Sequence, residues 1–244
     1  KFKYYVKRFK VKDYMNWLTK FIKASEKIKT AIRKRASKSE IAASKYMSCH
    51  GVPVEKKIIE QNNFVCPECN RHHFLSPSQR FNMMFGENNW KEIKGAMVRD
   101  IDPYKWEDTK KYTDRLADAK EKTGQDCAIL SCEAKINDID IVVSAVNFSW
   151  IGGSISMNEG ENVLKSVQTA IDKKCPYIFF SGSGGMRMMT NMLSLMQMTR
   201  MTIAINELKK NNLPYVVVVA SPSTGGLQAS ICSTGDIIIG ETGA

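Results

Sequence analysis

The chain has 244 residues, 43% of them hydrophobic and 25% charged, the composition of an ordinary globular protein with length enough for one or two domains. Its formal net charge of +11 is confined to one end: residues 1–35 hold thirteen Lys or Arg against Asp13 and Glu26, and the other 209 residues sum to zero. A wholly basic nucleic-acid-binding fold is therefore disfavoured, and the cationic character belongs to a leader or docking arm. The longest aliphatic run, Tyr215–Ala220, is far short of the roughly 18–20 apolar residues that cross a bilayer. The basic start does not read as a secretory signal. Seven cysteines at irregular spacing argue against a disulfide framework and for a reducing compartment. All three histidines, His50, His72 and His73, lie in the first third, so Ser-His-Asp and Cys-His mechanisms are unavailable to the rest.

Four segments follow in chain order. Residues 1–45 form a basic arm in which Asp13 to Arg35 has helical periodicity, with Tyr14, Leu18, Phe21, Ile28 and Ile32 near one stripe. Residues 46–75 carry Cys49 and the Cys66-Pro67-Glu68-Cys69 knuckle, soft ligands suited to zinc, although a ribbon site needs four donors. Cys49 has no CxxC partner, since position 46 is Tyr and position 52 is Val; His50, His72 or His73 is left as the candidate fourth ligand. Residues 76–125 read as helices and loops, with Asn88-Asn89-Trp90 and Asp102-Pro103 as turns. From 126 to 244 strands and helices alternate. Ala128–Lys135 and Ile141–Phe148 are predicted as paired strands around Asn137-Asp138, then a helix over Asn158–Lys174, a strand over Tyr177–Ser181, and a helix over Thr190–Lys210. The strand Tyr215–Ala220, a glycine-led helix and the strand Ile237–Gly240 complete an α/β pattern. The methionines between Met186 and Met201 read as core filling or subunit interface.

Eleven of the fifteen glycines lie at or beyond residue 152, clustered between these elements. Three junctions stand out: Trp150-Ile151-Gly152-Gly153-Ser154, Ser181-Gly182-Ser183-Gly184-Gly185-Met186-Arg187, and Ser223-Thr224-Gly225-Gly226-Leu227. Helix-start N–H groups are unsatisfied and lie at the positive end of the helix dipole, so two such ends side by side form an anion hole without charged side chains. Known glycine motifs fail: Arg187 stands where a dinucleotide fingerprint needs Gly, a P-loop Gly-Lys-Ser/Thr is absent, and Ser181 occupies the first glycine of a nucleophile elbow. What remains is backbone stabilisation of a developing oxyanion.

Phe148–Ser154, Ser181–Met188, Leu193-Ser194-Leu195-Met196-Gln197-Met198, Leu213-Pro214-Tyr215, Ser223–Gly226 and Gly235–Ile238 closely resemble the carboxyltransferase β subunit of multi-subunit acetyl-CoA carboxylase. Lys110–Leu116 and the cysteine segment extend the resemblance over about residues 14–244. It implies a crotonase/ClpP-type ββα superhelix preceded by a small zinc-ribbon-like segment and a basic N-terminal helix. It also implies transfer of a carboxyl group from carboxybiotin to acetyl-CoA, giving malonyl-CoA, in the cytoplasm or a plastid stroma. The implied partners are an α subunit, in an α2β2 arrangement, biotin carboxyl carrier protein and biotin carboxylase. Biotin would arrive on the carrier and Zn2+ would sit on Cys49, Cys66 and Cys69, with His50 or His72 as the fourth ligand. By this likeness Gly184, Gly185, Gly225 and Gly226 supply oxyanion amides, while Gly152, Gly153, Ser154, Ser183 and Arg187 line the acyl-CoA site. Ser156, Asn158, Glu159 and Ser221 depart from the family pattern, and the family continues through further helices beyond Ala244. Two alternatives stand beside this: another crotonase-type acyl-CoA enzyme such as a hydratase, which would need acids or bases, and a zinc-ribbon nucleic-acid-binding protein led by the basic arm.

Overall fold

The computed structural model describes residues 45–49 and 51–244; the basic helix expected over Asp13–Arg35 and His50 lie outside them. The chain divides into two units between His73 and Phe74. In the first, β1 (Tyr46–Cys49) and β2 (Val52–Glu55) form an antiparallel hairpin with Cys49 opposite Val52, followed by α1 (Lys56–Gln61). Cys49, Val54, Ile59 and Cys66 make its small core, with Met47 and Phe64 packed against them.

The second unit is a mixed α/β layer structure. Its elements are α2 (Pro77–Phe85), β3 (Trp90–Ile93), α3 (Tyr112–Thr123), β4 (Ile129–Ile136), β5 (Ile139–Val146), α4 (Met157–Lys173), β6 (Tyr177–Ser183), α5 (Asn191–Lys210), β7 (Tyr215–Ser223), α6 (Gly225–Ala229) and β8 (Ile237–Gly240). The six strands lie in sequence order, antiparallel from β3 to β5 and parallel from β5 to β8. The β4–β5 hairpin turns on Asn137 and Asp138 at φ 47° and 66°, the left-handed pair that a tight hairpin of natural twist requires. β3 is the element that the sequence does not announce. Trp-Lys-Glu-Ile is too short and too charged to read as a strand, and it forms because β4 offers an edge to pair with.

β5 shows why the central strands read as continuous apolar runs. Val142 and Val146 face one side, with Phe179, Val217, the α4 residues Val163 and Val167, and the α5 residues Met201 and Ile205. Ile141, Val143 and Ala145 face the other, with Phe81 and Phe85 of α2. Alternation sends successive side chains to opposite faces, and both faces are covered.

α5 divides the two roles expected of its methionines, leaving those of its first half outside the core. Ser194 and Gln197 are buried, whereas Met188 (just ahead of the helix), Met192 and Met196 are 75%, 58% and 55% exposed. Met201 does reach the core. The polar side faces inward because Ser194 Oγ donates to Arg187 O at 2.7 Å and Gln197 Nε2 donates to Leu193 O at 2.8 Å.

Candidate active site

The three glycine junctions converge. Gly153 is left-handed at φ 62°, and a Cβ there would lie 3.2 Å from Ser183 Cα and collide with Gly182 O, so the first junction lies directly on the second. Gly185, at φ 108°, brings the second onto the third: a Cβ would meet Gly225 Cα and Gly226 N, each at 3.3 Å. Only glycine permits backbone approach this close at a positive φ.

Hydrogen-bond accounting then separates amides that look equivalent in the sequence. Gly184 N–H donates to Gly152 O at 2.9 Å, and Gly185 N–H donates to Ser183 Oγ at 2.9 Å. The expectation that Gly184 and Gly185 present oxyanion donors is therefore corrected; both amides are spent on holding the turn. Gly225 and Gly226 open α6, where no preceding turn can accept from them, and Thr224 supplies no side-chain cap. Among the described residues, Met186 N–H also finds no acceptor. Ile155 bonds the residues on either side of Met186 (Ile155 N–H donates to Gly185 O, 2.9 Å; Ile155 O accepts from Arg187 N–H, 2.8 Å), which turns the Met186 peptide away from Ile155. Met186, Gly225 and Gly226 thus offer unspent donors at abutting turns.

Ser183 and Arg187 are not free to bind substrate. Buried Ser183 Oγ donates to Gly153 O at 2.6 Å while accepting from Gly185 N. Arg187 is 2% exposed, and every group around it is internal. Its Nη2 bonds Glu159 Oε1 at 2.6 Å and Ser154 O, Nε bonds Ser154 Oγ at 3.1 Å, and Nη1 bonds Tyr112 Oη at 3.0 Å. Ser154 Oγ in turn donates to Ile151 O at 2.8 Å, so this hydroxyl too belongs to the scaffold. Burial opposes the guanidinium charge, but Glu159 and Tyr112 more than offset it and hold Arg187 above the ordinary arginine value. Burial raises the Tyr112 phenol, with Arg187 acting against the rise. The fully buried Glu159 completes the set: Oε1 also accepts Ala128 N at 2.9 Å, and Oε2 accepts Ser156 N at 2.8 Å. Tyr112, Glu159 and the Met186 amide were not singled out as site groups from the sequence. Ser156-Met157-Asn158-Glu159 is nonetheless a capping-box pattern that marks Glu159 as facing back toward the helix start.

In the first unit, the Cys49, Cys66 and Cys69 sulfurs lie within 4.8 Å of one another, with Cys49 and Cys69 at 3.4 Å. That spacing fits three corners of a tetrahedral thiolate site, whose metal–sulfur bonds are about 2.3 Å. Burial pushes the Cys49 thiol up to about 12, whereas the Cys69 and Glu68 backbone amides bring Cys66 down to about 7. Among the described residues no histidine joins the cluster, which removes His72 as its fourth ligand; His72 instead pairs in extended backbone with Val65.

Residues 107–242, the stretch holding the three glycine junctions, match the family described as the carboxyl transferase domain. The chain belongs to that family. Within it, the chain is 48% identical over 230 residues to the acetyl-coenzyme A carboxylase carboxyl transferase subunit beta of Pelagibacter ubique, covering 94% of this chain and 74% of the relative. The subunit of the same description from Bartonella quintana is 40% identical over the same shares. Carboxyl transfer is accordingly the chemistry of this enzyme, and it belongs with the acetyl-CoA carboxylase β subunits. Two solved structures share the fold. Transcarboxylase 12S, with methylmalonyl-coenzyme A and methylmalonic acid bound, superposes with a TM-score of 0.50 at 20% identity, over 66% of this chain and 29% of that one. A Pseudomonas malonate decarboxylase hetero-tetramer superposes at 0.51 and 17% identity, over 68% and 58%. Among the described residues no helix is long and apolar enough to cross a membrane.

Proposed function

We propose that this carboxyl transferase moves the carboxyl group of carboxybiotin, presented on a biotin carboxyl carrier protein, to acetyl-CoA, and that Met186, Gly225 and Gly226 amides hold the thioester oxygen as it becomes an enolate. The observation that carries the reading is the set of three unspent amides at abutting turns. Removing a methyl proton places negative charge on the thioester oxygen, and fixed N–H donors stabilise that charge without reorganising. Carboxybiotin would supply the transferred group and, once decarboxylated, the base. The protein then needs no base of its own, which suits the carboxylates present. Between residues 145 and 235 these are Glu159, held by Arg187; Glu161, paired with Arg200 at 2.7 Å; Asp172, accepting from Gln168 at 2.8 Å; and Glu207, paired with Lys210 at 2.7 Å. A hydratase would need at least one of them poised at the glycine turns.

The α subunit completes the enzyme in this reading, in an α2β2 assembly served by biotin carboxylase. The stripe Met192, Leu195 and Met196, with Met188 just ahead of it, supports it, being an apolar face left exposed among the described residues. A crotonase-type superhelix, a zinc-ribbon-like segment and a basic N-terminal helix belong to the same proposal. Cys49, Cys66 and Cys69 would hold Zn2+, with His50 the remaining protein candidate for the fourth position. Metal analysis after purification without added zinc should give about one zinc per chain; a ratio near zero rejects the site.

The deciding experiment reconstitutes the chain with an α subunit, carboxybiotin carrier and acetyl-CoA. Malonyl-CoA should form only when both subunits are present, and an M192E/M196E double variant should fail to assemble. A soluble, assembled pair that yields no malonyl-CoA overturns the reading.

A further inference from the structure

We infer that Glu159 is a positioning residue for the anion site, fixing the direction of the Met186 amide through Arg187. This rests on the carboxyl-transfer reading above and adds to it a residue that touches neither substrate nor the reacting atoms. Met186 has no anchor of its own. Its neighbours Gly185 and Arg187 are tied to Ile155 by bonds of 2.9 and 2.8 Å, and those two bonds set which way the Met186 peptide faces. The Ser154–Ile155 stretch is in turn held by the Arg187 guanidinium, through Ser154 O and Oγ. The guanidinium keeps that pose because Glu159 Oε1 and Tyr112 Oη occupy its other donors, 2.6 and 3.0 Å away. Glu159 itself cannot swing, since Ala128 N and Ser156 N hold its two oxygens. The network therefore runs without a gap from the start of α4 to the Met186 peptide.

The geometry also predicts the kinetic signature. Glu159 and Arg187 are 0% and 2% exposed, so neither reaches bound acetyl-CoA, and ground-state binding should be insensitive to them. A misdirected amide costs stabilisation only where oxygen charge has developed, and loss of one such donor costs about 100- to 1,000-fold in turnover. A partial misdirection should cost somewhat less.

The test uses the full chain assembled with its α subunit. E159Q keeps the shape and removes the charge; kcat should fall by about 30- to 100-fold while KM for acetyl-CoA moves less than threefold. E159D should recover part of the loss. Y112F, which leaves the ion pair in place, should lower kcat by about threefold to tenfold with the melting temperature near wild type, and it decides the matter if E159Q does not fold. Amide hydrogen exchange supplies a readout that needs no turnover. In E159Q, the hydrogen-bonded amides of Gly184, Gly185 and Arg187 should exchange at least about tenfold faster while the interior of β6 and β7 stays protected. The inference is overturned if E159Q or Y112F folds and keeps wild-type kcat, if kcat rises as an unneutralised Arg187 would cause by attracting the enolate directly, or if exchange rises uniformly across the sheet. A wild-type complex that makes no malonyl-CoA defeats the functional reading alone, because the exchange experiment still shows whether Glu159 fixes the turn.

Discussion

The Gly184-Gly185 and Gly225-Gly226 turns look interchangeable as sequence and are opposites as structure. Each follows a buried strand, leads toward a helix and carries paired glycines. At the first, a carbonyl from the neighbouring junction and a serine hydroxyl consume both amides. At the second, α6 begins immediately after the strand, so the same donors open a helix with nothing before them to bond. The unspent donor of the earlier turn is displaced to Met186, a position with no glycine signature at all. Glycine marks where backbones approach each other; it does not say which amides are left over. That depends on the partners each N–H meets, which only a hydrogen-bond count supplies.

Substitutions at the two turns should separate accordingly. Gly226→Ala would push a Cβ against Met186 and to 2.9 Å from Met198 Sδ, moving one donor residue from the other. We expect turnover to fall by about 100-fold with a stability loss below about 1 kcal/mol, measured by steady-state kinetics and urea melts. Wild-type turnover in this variant would remove Gly226 from the site. Ser183→Ala strips the buried Gly185 amide of its acceptor and should cost about 1–3 kcal/mol of unfolding free energy. An unchanged melt would show that the first turn is not held in this way. Gly184→Ala should matter least: the position is exposed, and a Cβ would lie 3.4 Å from Gly152 O. Its stability should change by less than about 1 kcal/mol and its turnover by less than about threefold. A large kinetic loss there would return Gly184 to the anion site.

Much of the fold was legible because its signals are local. The strand Ile237–Gly240, the Asn137-Asp138 turn and the helix that ends at Lys210 all follow from alternation, turn residues or helical period. β3 was not legible, because an edge strand of four residues owes its pairing to β4 and little to its own composition. The choice between core and subunit interface for the methionines was not legible for a related reason. Their spacing fits a helix, but which side of α5 faces the sheet is decided by Ser194 and Gln197 finding partners inside.

The same division holds at the site. Sequence alone determined the family, the three glycine junctions and the absence of histidine after residue 73, since each is a property of residue identity and order. The family likeness places Arg187 in the lining of the acyl-CoA site, and nothing along the chain contradicts that. Tertiary structure alone brings Glu159, 28 residues earlier, and Tyr112, 75 residues earlier, onto its guanidinium and buries all three. A charge removed from water is stable only with its partners in place, so whether an arginine binds ligand or braces the fold depends on what surrounds it in space.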